Sequence, residues 1–375
     1  MTFGQLSPGG SDAGSPGGED PRNLANQQAA GTIDSGGANV EASIEMREVE
    51  GLSLGRIVFR RFVRHRAAMI SLVILVLVVI VAFSSEGIDA FGIKIPGWWM
   101  WNYAQVPNVI NGGVPTLSLV PFQIGIHPFG QDTVGHDMFA QVMRGTQQSL
   151  SIVFVAGVVS TVIGVTLGAI AGYFGGRIDA LLMRATDIVI IVPLYLIAAI
   201  VGKTVGGAGP LILAIFLGVL VWTTLARLVR GEVLALRERE FVEAAKVAGS
   251  SDFRIVFRHI LPNTVGVIVV SATLTMSAVI LTEAAISFLG FGVRSPDTSL
   301  GLIISNYQSA FATRPWLFWW PGLFIILIAL TINFIGDGLR DAFDPRQRRG
   351  LTRRARRERA LAVEQGIVDP IESRS

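Results

Sequence analysis

Ala67–Phe83 reads AAMISLVILVLVVIVAF, seventeen positions without a charge, entered through Arg60, Arg61, Arg64 and Arg66. At a rise of about 1.5 Å per residue such a helix is close to the minimum that crosses a hydrocarbon core of roughly 30 Å. Outward from this stretch the pattern recurs at Ser149–Phe174, Ala185–Gly202, Leu211–Ala226, Thr264–Phe291 and Trp316–Gly336. Together they predict an all-α integral membrane protein with six transmembrane helices.

Composition agrees. Apolar residues make up 51% of 375 positions and charged ones only 16%, with a mean hydropathy of +0.54. Soluble domains carry about 25% charged residues. The absence of cysteine excludes a disulfide framework and any thiolate metal centre. Residues 1–50 are the exception: SPGGSDAGSPGGEDPRN and its surroundings are rich in Gly, Ser, Pro, Asn and Asp. Such a segment buries too little surface to offset its ordering entropy, which predicts a disordered extension acting as a spacer or a docking element. A cleaved signal peptide would place its apolar core near residue 10, not beyond residue 65.

The net charge of +3 matters less than its distribution. Lys and Arg gather before the first span, at Arg177 and Arg184, across 227–259 and in the tail DPRQRRGLTRRARRERA. The intervening connections hold only Lys94, Arg144, Lys203, Arg294 and Arg314. The excess of positive charge on alternate loops predicts that both termini are cytoplasmic. Trp98, Trp99 and Trp101 after the first span, and Trp316, Trp319 and Trp320 at the start of the sixth, then form an aromatic belt on the outer side. The expected organisation is a cytoplasmic extension (1–50), an entry region with the first helix (51–84) and an extracytoplasmic segment (85–148). A core with five helices (149–340) and a basic cytoplasmic tail (341–375) follow. At this length, 85–148 is expected to hold short surface helices.

The connection at 227–263, RLVRGEVLALREREFVEAAKVAGSSDFRIVFRHILPN, is the most informative part of the chain. Glu240–Ala248 contains good helix formers, and Gly249 with Ser250 and Ser251 offers a stop. Asp252 is placed to cap a second short helix running to His259. Pro262 falls in the first turn of the fifth span, where its missing N–H is tolerated. Two short helices joined by a Gly turn suit transmission of force from a cytoplasmic partner. On spacing alone, an ordinary interfacial helix fits equally well.

Glu243-Ala244-Ala245, Gly249 four residues later and Leu261-Pro262 resemble the EAA loop of ABC-importer permeases. The form RHILPN, with His259 in place of the common isoleucine, resembles the dipeptide and oligopeptide branch. Three further stretches carry the resemblance in the same order. They are HPFGQDTVGHDMFAQVMRGTQQSL from His127, Glu283–Gly290 (EAAISFLG), and Gly336–Asp341 leading into Asp344-Pro345-Arg346. From about residue 55 to 349 the chain is similar to the C-type permease subunits of the peptide and nickel importers. His136 stands where that group commonly has arginine, which removes a fixed positive charge.

The resemblance implies a type I ABC importer permease fold in the bacterial cytoplasmic membrane, surrounded by lipid and without a nucleic-acid partner. It implies a second, B-type permease across the pore, two cytoplasmic ATPases and an extracytoplasmic solute-binding protein. Glu243, Ala244, Ala245, Gly249, Asp252, His259 and Pro262 would form the ATPase-coupling element. The chain would be a non-catalytic subunit with no cofactor of its own, ATP and Mg being bound by the partners. Its cargo would be di- or oligopeptides, or alternatively nickel chelates, glutathione or another small solute.

The residues themselves exclude other chemistry. Gly202-Lys203-Thr204 lacks the glycine that a phosphate-binding loop needs five residues earlier, where Ile197 stands. The four histidines, His65, His127, His136 and His259, are scattered, with no HExxH. Glu283 is the acid best placed within a span, and intramembrane acids are candidates for function. Lying 21 residues beyond Pro262, about 30 Å along a helix, it is expected near the outer surface. There it would serve, with Ser287, in an outer gate or translocation pathway, or make an interhelical hydrogen bond. Gly157, Gly164, Gly168 and Gly172 predict close helix packing. A stand-alone channel or secondary carrier shares the six spans, but a carrier usually needs mid-membrane ionisable sites. None is evident, so the energy source lies outside the chain.

Overall fold

The computed structural model describes residues 54–90, 93–119, 121–205 and 209–344. The readings made for 1–50 and for the tail beyond 344 lie outside these residues. Among the described residues, four helices are long and apolar enough to cross a membrane: α2 (Arg66–Glu86), α3 (Met138–Phe174), α9 (Asp252–Phe288) and α11 (Trp316–Phe343). Two bent pairs pass the same test when joined. These are α4 (Gly176–Ile191) with α5 (Leu194–Val205), and α6 (Pro210–Val221) with α7 (Thr223–Arg237). Three shorter helices complete the set: α1 (Leu54–Arg64), α8 (Glu240–Val247) and α10 (Leu300–Tyr307).

Helices occupy all six expected stretches, four of them as spans by themselves and two as bent pairs that make a span only when joined, and their ends and continuity differ for local reasons. The third breaks by 75° at Val192-Pro193. Proline removes an N–H, clashes with the carbonyl four residues back and drives its predecessor out of helical geometry. Val192 is accordingly extended (φ −75°, ψ 123°). The fourth bends by 44° at Trp222. Its helix then runs to Arg237, so the first third of 227–263 is helix, not loop. The second span starts eleven residues before its apolar run, because Asp137 caps it by accepting from the Ala140 N–H at 2.9 Å.

The segment 85–148 holds no surface helix of the expected kind before Met138. Among the described residues it contains two antiparallel hairpins, β1–β2 (Gly87–Ala90, Ile93–Pro96) and β3–β4 (Ser118–Leu119, Phe122–Gln123), and a single 3₁₀ turn at Asn111–Gly113. The tryptophans divide. Trp98 and Trp319 are exposed, as a belt requires. Trp99 instead packs on Phe139, Trp320 stacks on Phe129 at 3.9 Å and Trp316 donates to the Gln131 carbonyl. Only part of the aromatic set is exposed; the rest ties the segment between α2 and α3 to the helices.

The glycines of α3 do what their spacing predicts. A Cβ at Gly168 would lie 2.5 Å from the Ala226 carbonyl oxygen of α7, and one at Gly172 would lie 2.8 Å from that of Arg230. α3 and α7 form the most extensive helix pairing in the molecule.

Candidate functional site

One end of the bundle gathers the starts of α2 and α9, the end of α11 and all of α8. Here Ala169, Leu225, Val229, Val233, Val242, Ala245, Ile255, Val256 and Ile260 form a separate small core. It explains how a helix of eight residues stays in place. Val242 and Ala245 anchor one face of α8, while Glu243, Ala244, Lys246 and Val247 remain exposed. Acids Glu240 and Glu243 lie in the first turn, where the helix dipole favours them.

α8 closes with a Schellman motif. The Ser250 N–H donates to the Ala245 carbonyl and the Gly249 N–H to that of Lys246, both within 3.0 Å. Gly249 has φ +76° and open space around it, so glycine is required by conformation rather than by room. Asp252 does not cap a second short helix. Ser251 holds that position, Asp252 is the first residue of α9, and its carboxylate accepts from the Tyr173 hydroxyl at 2.6 Å.

Nor does the second helix end at His259. It passes through a π-helical turn, Ile255–Ile260, and continues without a break to Phe288. Pro262 is the cause: its ring would meet the carbonyl of Arg258, and it has no N–H to donate there. The wider turn absorbs the mismatch, with the Leu261 N–H reaching the Val256 carbonyl. Asn263 Nδ2 then donates to the His259 carbonyl at 2.6 Å. The sequence RHILPN is therefore a recipe for joining the α8 turn rigidly to a membrane helix.

Of the proposed coupling residues, Glu243, Ala244, Gly249, Asp252 and Pro262 are exposed and His259 is half-buried. Ala245 is buried and acts as an anchor. The sequence reading missed the apolar surface beside them: Val247 is 90% exposed and Phe253 73%, with Phe241 and Phe257 also open. Charged contacts brace the region. Arg230 pairs with Asp179 through both carboxylate oxygens, Arg227 with Asp187, and Arg237 Nη1 donates to the Gly172 carbonyl at the end of α3.

At the opposite end Glu283 and Ser287 are not on an open surface. Glu283 has no exposure; its Oε2 accepts from Ser149 Oγ and its Oε1 from Ser287 Oγ, each at 2.8 Å. Depth along the helix was legible, but its azimuth was not, and the residue bonds α9 to α3. The interhelical hydrogen bond is present, from Ser149 of α3 to Glu283 of α9. Glu283→Leu would strand two buried hydroxyls, at about 1–3 kcal/mol for each that finds no other acceptor. Its thermal midpoint in detergent is expected well below that of Glu283→Gln, which keeps an acceptor. Equal midpoints would deny the bonds any role.

The stretch around His136 is a knot rather than an ion-binding surface. Asp132 Oδ1 accepts from the N–H groups of Val134, Gly135 and His136. Its Oδ2 meets His136 Nδ1 at 2.8 Å and the Tyr307 hydroxyl at 2.7 Å. Burial pushes the Asp132 carboxyl upward, but these hydrogen bonds outweigh it and hold the group below the usual range. Burial, with Asp132 as its partner, raises the Tyr307 phenol. Nearby, Asp137 accepts from Trp99 Nε1 and lies 2.7 Å from His127 Nδ1. His136 thus spends its ring on Asp132, in place of the outward charge of an arginine.

A cleft of about 100 Å³ lies where α5 and α6 face the segment after α9, lined by Gly202, Pro210, Phe216, Phe291 and Asp297. It is smaller than ordinary small-molecule pockets, which start at about 300 Å³.

Comparison with known proteins completes the picture. Residues 164–349 match the model of the binding-protein-dependent transport system inner membrane component, and residues 53–103 that of the N-terminal TM domain of oligopeptide transport permease C. The oligopeptide transport system permease protein OppC of Mycobacterium tuberculosis (strain ATCC 25618 / H37Rv) is 37% identical over 294 residues, 78% of this chain and 94% of that protein. OppC of Escherichia coli (strain K12) is 37% identical over 304 residues, 81% and 95% of the two chains. OppC of Bacillus subtilis (strain 168) is 34% identical over 329 residues, 88% and 99%. An inward-facing MetNI methionine ABC transporter structure superposes with a TM-score of 0.45 at 21% identity, over 55% of this chain and 98% of that one. With its multi-pass helical bundle and these relatives along most of its length, the chain belongs to the binding-protein-dependent inner-membrane permeases and is an OppC-like subunit of an ABC importer complex.

Proposed function

We propose that this subunit forms half of a pathway for di- or oligopeptides and passes the motion of cytoplasmic ATPases to it through α8. The observation that carries the coupling role is a short helix that is exposed on one side, where Phe241 and Val247 stand among Glu240, Glu243 and Lys246, and locked on the other into a core shared by α3, α7 and α9. A load on α8 then moves the membrane helices with it.

In this reading each bent pair crosses once, giving six passes with both termini cytoplasmic, which the distribution of arginine supports. A second, B-type permease faces this chain across the pore. Two ATPases, which bind ATP and Mg, seat on the two coupling elements, and an extracytoplasmic binding protein delivers cargo. Peptide cargo rests on the relatives, which are named for oligopeptide transport.

The test is ATP hydrolysis by the complex reconstituted with its binding protein. Peptides of two to several residues are expected to stimulate it. Stimulation by nickel chelates or glutathione and not by peptides would replace the cargo while leaving the coupling role standing.

A further inference from the structure

Just before the membrane-length helix α2, α1 presents an exposed surface. From Val58 onward it is clamped to the end of α11. Arg61 Nη1 donates to the carbonyls of Asp344 at 3.1 Å and Ala342 at 3.5 Å, and His65 Nε2 lies 3.4 Å from Asp341 Oδ2. A Cβ at Gly338 would lie 2.3 Å from Ala68 Cβ, so only glycine lets the start of α2 approach α11 this closely, and the Phe62 ring of α1 packs beside it at 3.4 Å.

The clamp fixes how the helix is rotated. With Arg61, Phe62 and His65 turned inward, a 100° step per residue puts Phe59, Arg60, Val63 and Arg64 on the outward arc. All four are exposed, Phe59 at 68% and Val63 at 44%. Within that arc Phe59 and Val63, four apart, form an apolar edge. Arg60 and Arg64, also four apart, form a basic edge beside it. α1 contains no acid, and Arg66, also exposed, opens the spanning helix α2 two residues beyond its end.

Two edges of this chemistry at the mouth of a membrane helix match one environment. We infer that α1 lies in the bilayer interface and binds anionic lipid headgroups, Phe59 and Val63 reaching the acyl boundary while Arg60 and Arg64 hold phosphates. Amphipathic basic helices bind in this way, by apolar burial plus attraction to anionic lipid. Guanidinium is suited to phosphate because its donors are fork-shaped. The lipid leaflet is preferred to a protein face because α1 ends two residues before the start of a membrane-length helix and carries basic and apolar edges with no acid.

The chain has no cysteine, so Val63→Cys carries a single fluorescent label without background. In the full chain reconstituted in bilayers, brominated phosphatidylglycerol and brominated phosphatidylcholine are both expected to quench the label, the anionic lipid more strongly. Arg60→Gln with Arg64→Gln, both at exposed positions, is expected to lower that preference by on the order of fivefold per charge removed. Added salt should lower it too. Quenching by aqueous iodide and not by brominated lipid would overturn the inference. So would an anionic preference unchanged in the double variant. Shielding from both quenchers that appears only in the assembled complex would assign the arc to a protein partner instead.

Discussion

Gly168→Leu is expected to yield no folded protein that survives extraction from the membrane. At this position the backbones of α3 and α7 approach so closely that a single Cβ would meet the Ala226 carbonyl oxygen at 2.5 Å and Val229 Cβ at 3.0 Å. No rotamer relieves contact with a backbone atom. The seam cannot open locally either, because Gly164 is pressed against Trp222 and Leu225, and Gly172 against Arg230 and Val233. Overpacking a core by a few methylenes costs about 1–3 kcal/mol where the surroundings can shift. Here they cannot, and the whole helix pair would have to part. Gly231→Leu on α7 is the control, since its Cβ would meet nothing within 4 Å. Size-exclusion profiles and thermal midpoints in detergent decide the matter. If the two variants behave alike, the seam does not hold the bundle.

The second large effect is expected on assembly rather than folding. Val247→Asp combined with Phe253→Asp should abolish co-purification of the ATPase subunits while the permease chain keeps its own thermal midpoint. Both side chains are strongly exposed and neither belongs to the small core beneath α8. Exposed apolar anchors at the centre of an interface are worth about 2 kcal/mol or more each. That is about 30-fold in affinity for one and far more for both, before counting the burial of the introduced charges. The permease would then carry its pathway without a motor. Retained ATPases and undiminished substrate-stimulated hydrolysis in the double variant would show that the contact lies elsewhere.

Much of the architecture was legible because lipid imposes a simple rule. Apolar runs of helical length marked every stretch able to cross, and glycines four residues apart marked the most extensive helix seam. Helix ends were less legible, since helices outlast their apolar stretches: Asp137 starts one early and Arg237 ends one late. The Pro193 break follows from ring chemistry, but hydropathy alone reads straight through it. The hairpins after α2 have strands of only two to four residues, too short for a periodic signal. At the coupling end, the Gly249 turn could be read from its residue type. The role of Asp252 could not, because its partner, Tyr173, is 79 positions away. Glu283 shows the same limit. Counting from Pro262 gives its height in the membrane, whereas the serine it faces across the interface becomes visible only once α3 and α9 are set side by side.

The uninterrupted course of α9 carries a mechanical consequence. Its 37 residues, nearly all at about 1.5 Å each, make a rod of roughly 55 Å. Asp252 stands at one tip, and the carboxylate that grips Ser149 lies near the other. The π-turn at its base replaces the hinge that a proline would otherwise create, so torque applied near Phe253 is not dissipated in bending. In the proposed coupling it would reach Glu283 as rotation of the same shaft, where a turn of a few degrees is enough to strain the hydrogen bond accepted from Ser149 of α3. In the proposed coupling, a single wide turn of backbone would thus set the gearing between the two ends of α9.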